Sequence, residues 1–152
     1  MAKEKIIRQA GAIPYYCGAD GQLMTVLVTA RRRDPFWLFP KGHIEPEATP
    51  VEAAAIEAYE EAGLRGQVRK KAVGSYTFTK LRRIYRVKLY PMKVKKVLKK
   101  WPEAKCRTRH LIPFEEAMAR LEDPVMRRLA RKLYDKLRET QDAKTTSNQI
   151  LT

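Results

Sequence analysis

The stretch GHIEPEATPVEAAAIEAYEEAGL, Gly42 to Leu64, crowds Glu57, Glu60 and Glu61 together in a chain whose formal net charge is +15. Like charges three and four residues apart on a helix repel, at roughly 0.2–0.5 kcal/mol per pair. Either water screens these acids on an outer face, or something positive sits on them. Thr49 suits an N-cap, Pro50 the first helical position and Gly63 the residue after the last turn, so the spacing predicts a helix between Thr49 and Gly63. At about 100° per residue, Val51, Ala54, Ala55, Ala58 and Ala62 gather on an arc that must face the core. Glu57, Glu60 and Glu61 border that arc, and Ala53, one turn earlier, leaves space above them. Three convergent hard oxygen ligands suit Mg2+ or Mn2+. By themselves, three glutamates on one arc are more simply a solvated surface.

The surrounding 152 residues suit one domain with one core. Residues 1–138 are expected to form it, with 139–152 a polar, flexible tail. The N-terminus is charged early and has no long apolar run, which predicts neither a signal peptide nor a membrane span. Cys17 and Cys106 lie far apart without metal-type spacing, as expected of buried or idle thiols in a reducing, cytoplasmic setting. The balance of 32 Lys plus Arg against 17 Asp plus Glu favours anionic partners and says nothing about fold.

Strands are predicted over 6–16 and 23–30, joined by a turn at Ala19–Gln22, whose Asp-Gly is a hairpin signal. Residues 36–42 read as a short apolar segment leading into a turn at Gly42. Further strands are expected over 66–79, 82–90 and 105–112. In the second of these, Arg82, Arg86 and Lys88 fall on one face and Tyr85, Val87 and Leu89 on the other. Helices are expected over 113–121 and 124–138, the latter with Met126, Leu129, Leu133 and Leu137 as an apolar stripe.

The spacing of Gly42, Glu57, Glu60, Glu61, Gly63 and Leu64 resembles the signature of the Nudix hydrolases, G-x5-E-x7-R-E-U-x-E-E-x-G-U, with U aliphatic. AGAIPYY, WLFPKGHIEP and RTRHLIPFEEAMARL extend the resemblance over nearly the whole ordered chain. Two positions depart from it. Ala48 stands where the family has its first glutamate and Ile56 where it has its arginine, a pair understood to brace the loop–helix–loop. Losing both leaves no orphaned charge, although the arginine also helps orient the catalytic glutamates. Glu45 and Glu47 offer replacement contacts on the loop, or are plain exposed acids.

The resemblance implies an α+β fold, an α/β/α sandwich with a mixed sheet and a loop–helix–loop catalytic motif. It implies a hydrolase that cleaves phosphoanhydride bonds with Mg2+, or Mn2+. Glu57, Glu60 and Glu61 would be catalytic, and with the Gly42 carbonyl they would hold the metal. Glu60 is the motif's general base, with Glu115 or Glu116 as candidates outside it. PKGHIEP followed by EAYEEAGL resembles the branch of diadenosine tetraphosphate hydrolases and diphosphoinositol polyphosphate phosphohydrolases. Arg8, Arg31, Arg33, Lys41, Arg82, Arg107 and Arg109 would then bind a substrate with more than two phosphates. Trp37, Tyr76 and Phe78 are more simply core residues than a stack for a base, and His43 and His110 receive no role. The rival reading is a catalytically weakened domain that senses a nucleotide or RNA. An incidental RNA binder is disfavoured by the absence of interleaved aromatic and basic residues.

Overall fold

The computed structural model describes residues 5–30 and 36–151, with side-chain environments through Gln141. Its spine is a parallel pair, β1 (Ile6–Cys17) and β7 (Arg83–Val97), in register from Ile6 opposite Ile84 to Tyr15 opposite Lys93. Residues Gln9 to Tyr15 of β1 are buried without interruption, the pattern of a strand covered on both faces. On one face Ala10, Ala12, Tyr90 and Met92 pack against Ala54, Ala58 and Ala62 of helix α1 (Pro50–Ala62). On the other, Ile13, Val87 and Leu89 pack against α2 (Phe114–Arg120) and α3 (Pro124–Leu151) through Phe114, Met118, Met126, Leu129 and Leu133. Each fully buried Leu, Ile or Phe contributes roughly 1.5–3 kcal/mol relative to exposure. The result is an α/β/α sandwich around a mixed sheet.

The remaining strands attach to this spine. β2 (Leu23–Thr29) continues from the β1 hairpin and carries β3 (Trp37–Leu38) and β8 (Arg109–Pro113). β4 (Lys41–His43) pairs antiparallel with the middle of β1, setting Gly42 opposite Ala10. β5 (Leu64–Val68) and β6 (Gly74–Lys80) both pair antiparallel with β7. Alanines on both the sheet and α1 let the helix lie close, and that closeness brings its glutamates to β4.

Several boundaries differ from the sequence expectation. Gly42 lies in a strand, not a turn. The 66–79 stretch divides into β5 and β6, while β7 runs on to Val97 through KVKKV, where a register shift opposite Arg65 and Gly66 takes up the adjacent Lys95 and Lys96. Arg82 is not on a strand face: with Leu81 it forms the tip of the β6–β7 hairpin at φ 63° and 51°, the left-handed pair that a tight hairpin turn requires. Of the expected 105–112 strand only the part from Arg109 pairs, and it runs one residue further, to Pro113. On α1, Ala53 is buried and Ala55 only partly so. α3 continues as helix to Leu151 over the stretch expected as a loose tail; its apolar stripe ends at Leu137, so periodicity carries no signal beyond.

Helix α1 is closed at its start by a reciprocal box. The Thr49 hydroxyl accepts from the Glu52 amide at 3.1 Å, and the Glu52 carboxylate accepts from the Thr49 amide at 3.1 Å. Thr49→Ala is expected to lower stability by about 1 kcal/mol, read as a shift in denaturant midpoint, while Thr49→Ser stays near wild type.

Candidate active site

The last turns of α1 carry Glu57, Glu60 and Glu61, and the helix ends at Gly63 in the left-handed region, φ 65°, whose amide bonds the Tyr59 carbonyl at 2.9 Å. β4 faces these turns. A Cβ on Gly42 would fall 2.2–2.5 Å from the carboxylate atoms of Glu57, so only glycine admits that carboxylate against the strand. Next to it, the Lys41 amide donates to Glu61 Oε1 at 3.2 Å. Glu61 is 4% exposed, an unusual position for an acid.

Burial pushes Glu61 up to about 8, with Arg107 opposing and Glu57 adding to the rise. Glu57 is also raised, first by burial and then by the charges of Glu60 and Glu103, while a hydrogen bond with Glu61 acts the other way. Burial lowers Lys41, against the pull of Glu61; its Nζ lies 4.4 Å from the centroid of the Phe78 ring. A buried acid beside a half-buried one, both resisting ionisation, forms a site that gains from an added positive charge.

The loop from Leu98 to Arg109 grips this end of α1. The Glu103 amide donates to the Glu60 carbonyl at 3.0 Å, and the Leu98 amide to the Gly63 carbonyl at 2.8 Å. Arg107 pairs with Glu61 Oε2 at 3.2 Å and with Glu103 Oε1 at 2.8 Å, and donates to the Thr29 carbonyl at 2.9 Å. Arg109 donates to the carbonyls of Ala62 at 3.0 Å and Leu98 at 2.7 Å, with its guanidinium 3.9 Å from the Trp101 ring centroid. Both arginines, expected to meet substrate, are taken up within the protein.

The other expected substrate residues are spread out. Lys41 is at the site. Arg8 is exposed on β1, opposite Arg86 of β7. Arg82 sits at the hairpin tip, and Arg31 and Arg33 lie outside the described residues. Glu115 accepts from the Tyr134 hydroxyl at 2.7 Å and so belongs to the α2–α3 contact; Glu116, Glu45 and Glu47 are exposed. Ile56, in the motif's arginine position, is 44% exposed. Tyr76 is core. Phe78 stacks on Tyr85 at 4.8 Å, and Trp37 meets His110 at 5.6 Å. Glu103 escaped the sequence reading. Its only signal was an acid within a basic stretch, WPEAKCR.

Among the described residues, no group of three or more His, Cys, Asp or Glu side chains is arranged to hold a metal ion on its own. The donor set nonetheless fits Mg2+, which usually takes one or two carboxylates and completes its shell with water and substrate phosphates. Glu57 and Glu61 meet that demand, in the space that Gly42 leaves open. Gly42→Ala is expected to weaken Mn2+ binding about 10–100-fold, the usual cost of disturbing ligand support, as followed by paramagnetic relaxation titration.

A family model described as NUDIX domain matches residues 7–133. Nudix hydrolase 16, mitochondrial, from Arabidopsis thaliana is 35% identical over 134 residues, covering 78% of this chain and 74% of that protein. Diphosphoinositol polyphosphate phosphohydrolase 2 from Rattus norvegicus is 35% identical over 79 residues, covering 52% of this chain and 42% of that protein. A crystal structure of C. elegans Ap4A hydrolase aligns with a TM-score of 0.72 at 22% identity, over 88% of this chain and 99% of that one, a likeness of fold. Together with the paired carboxyls of α1 beside Gly42, these matches establish that the chain belongs to the Nudix hydrolase family.

Proposed function

We propose that the chain hydrolyses a phosphoanhydride bond in a polyphosphorylated small molecule, such as a dinucleoside polyphosphate or a diphosphoinositol polyphosphate, with Mg2+ or Mn2+. Nudix hydrolases generally use divalent metals. The observation that carries the reading is the juxtaposition of Glu57 and Glu61 with Gly42 and the Lys41 amide. Glu57, Glu60, Glu61 and the Gly42 carbonyl would hold the ion, which supplies Lewis-acid polarisation and an acidified water.

This chain's own residues supply the rest. Lys41 faces Glu61 and offsets phosphate charge at the reacting end. Arg8 and Arg86, adjacent and exposed across β1 and β7, meet further phosphates, and guanidinium forks match phosphate oxygens. Glu60 takes the proton from the attacking water, since Glu115 is engaged by Tyr134. Gln9 Oε1 and the Tyr76 hydroxyl are buried without a protein partner, on strands that flank Val87 in the register. Cys17 and Cys106 are exposed free thiols, in keeping with a reducing cytoplasm. No helix among the described residues is long and apolar enough to cross a membrane.

The identities of residues 48 and 56 favour a second reading, a weakened domain that binds a nucleotide or RNA without turnover. A panel of dinucleoside polyphosphates, diphosphoinositols, nucleoside diphosphate sugars, nucleoside triphosphates and capped or triphosphorylated RNA separates the two. Release of phosphate or nucleotide with Mg2+, abolished by chelator, is the expected outcome. Glu60→Gln and Glu61→Gln, made singly, should each lower kcat about 100-fold or more, the scale of a general base or a ligand orientation lost. Wild-type rates in both would remove α1 from the mechanism.

A further inference from the structure

We propose that Arg107 is the positioning residue for Glu61 and stands in for the arginine that the family motif places at residue 56. The inference rests on the metal-binding reading of α1 and deepens it. Ile56 is 44% exposed and has no charge to offer, and Ala48 has none to pair with it. Yet Glu61 is not left unbraced. Arg107 comes from a loop more than forty residues later and reaches Oε2, while the Lys41 amide holds Oε1.

Three features separate this contact from a casual ion pair. The Arg107 side chain is only 12% exposed and Glu61 only 5%, so solvent does not dissolve the pair as it does at a surface. The guanidinium is itself fixed, with Nε on Glu103 Oε1 at 2.8 Å and Nη1 on the Thr29 carbonyl at 2.9 Å. Glu103 is in turn tied to α1 through its amide on the Glu60 carbonyl at 3.0 Å. A carboxylate has about four lone-pair sites. On Glu61 the Lys41 amide takes one, a hydrogen bond links the carboxyl to Glu57, and Arg107 pairs with Oε2 by charge at 3.2 Å, so capacity remains for a cation. Arg107 therefore orients the carboxylate without filling it, which is what a support shell does for a metal ligand.

A substrate-binding role and a positioning role make different demands. If Arg107 met phosphate, its loss would raise KM and leave metal binding alone. As a positioning residue, its loss acts on the metal without substrate present. The test is an electron paramagnetic resonance titration of the full chain with Mn2+, together with kcat and KM on diadenosine tetraphosphate. Arg107→Gln is expected to raise the Mn2+ dissociation constant about 10–100-fold and to lower kcat with little change in KM. Arg107→Lys, the milder change for folding, keeps the charge but cannot reach Glu61, Glu103 and Thr29 together, and should lose several-fold. In a chain carrying Ala48→Glu and Ile56→Arg, which restores the family's pair, Arg107→Gln should cost much less.

Wild-type Mn2+ affinity in both Arg107 variants overturns the proposal, as does an equal cost in the two backgrounds. A wild type that binds Mn2+ but hydrolyses nothing in the panel sinks the substrate reading and leaves this inference standing. A wild type that binds no Mn2+ takes down both.

Discussion

Almost everything about this molecule's site follows from one constraint: an acid, Glu61, is kept out of water at the foot of a helix. An isolated buried carboxylate is costly, and the group answers by holding its proton or by finding positive partners. Here both answers are visible. The Lys41 amide bonds one oxygen, the Arg107 guanidinium pairs with the other, and its ionisation is still pushed up. Such a balance is poised, not settled: a divalent charge arriving beside Glu57 and Glu61 would tip it toward the ionised form. The fold holds that balance in place. Small residues bring α1 onto the sheet, a glycine on β4 makes room for Glu57, and a distant loop clamps the last turn.

The clamp also changes how the excess of positive charge is understood. A net +15 invites the view that basic residues exist to attract anions. Arg107 and Arg109 show a second use. Arg109 satisfies the Ala62 carbonyl at the C-terminal end of α1 and lies over Trp101, and Arg107 serves the carboxylates. A cation at that end complements the helix dipole as well. Arg8 and Arg86, by contrast, stay exposed and available.

Much of the architecture was legible because local chemistry and global fold agree. Thr49, Pro50 and Gly63 marked α1 at both ends, the Asp-Gly turn marked the first hairpin, and the period of Met126, Leu129 and Leu133 marked α3. The misses have physical causes. β7 outran its expected end because the lysine-rich KVKKV, its alternation broken by adjacent lysines, reads as either a basic connection or a strand end. Arg82 was assigned to a face because period-two reasoning cannot see a turn without Gly, Asn or Asp. At the site, the motif pointed to α1 and carried no signal of the residues that support it. Arg107 reaches Glu61 only through tertiary contact between a late loop and α1, and no spacing rule reports that. Its residue type pointed to phosphate, when its neighbours are carboxylates and a carbonyl.

The parallel pairing of β1 with β7 has a consequence for how the molecule comes into being. Strands so far apart in the chain meet only after a long loop closes, which is an entropically slow step. Helix α1, with its own caps, has the local signals to form early, whereas Arg107 follows β7 in the chain. During synthesis, the acids therefore leave the ribosome before their guanidinium partner does. Assembly of the pocket therefore waits on the arrival of the second half of the chain.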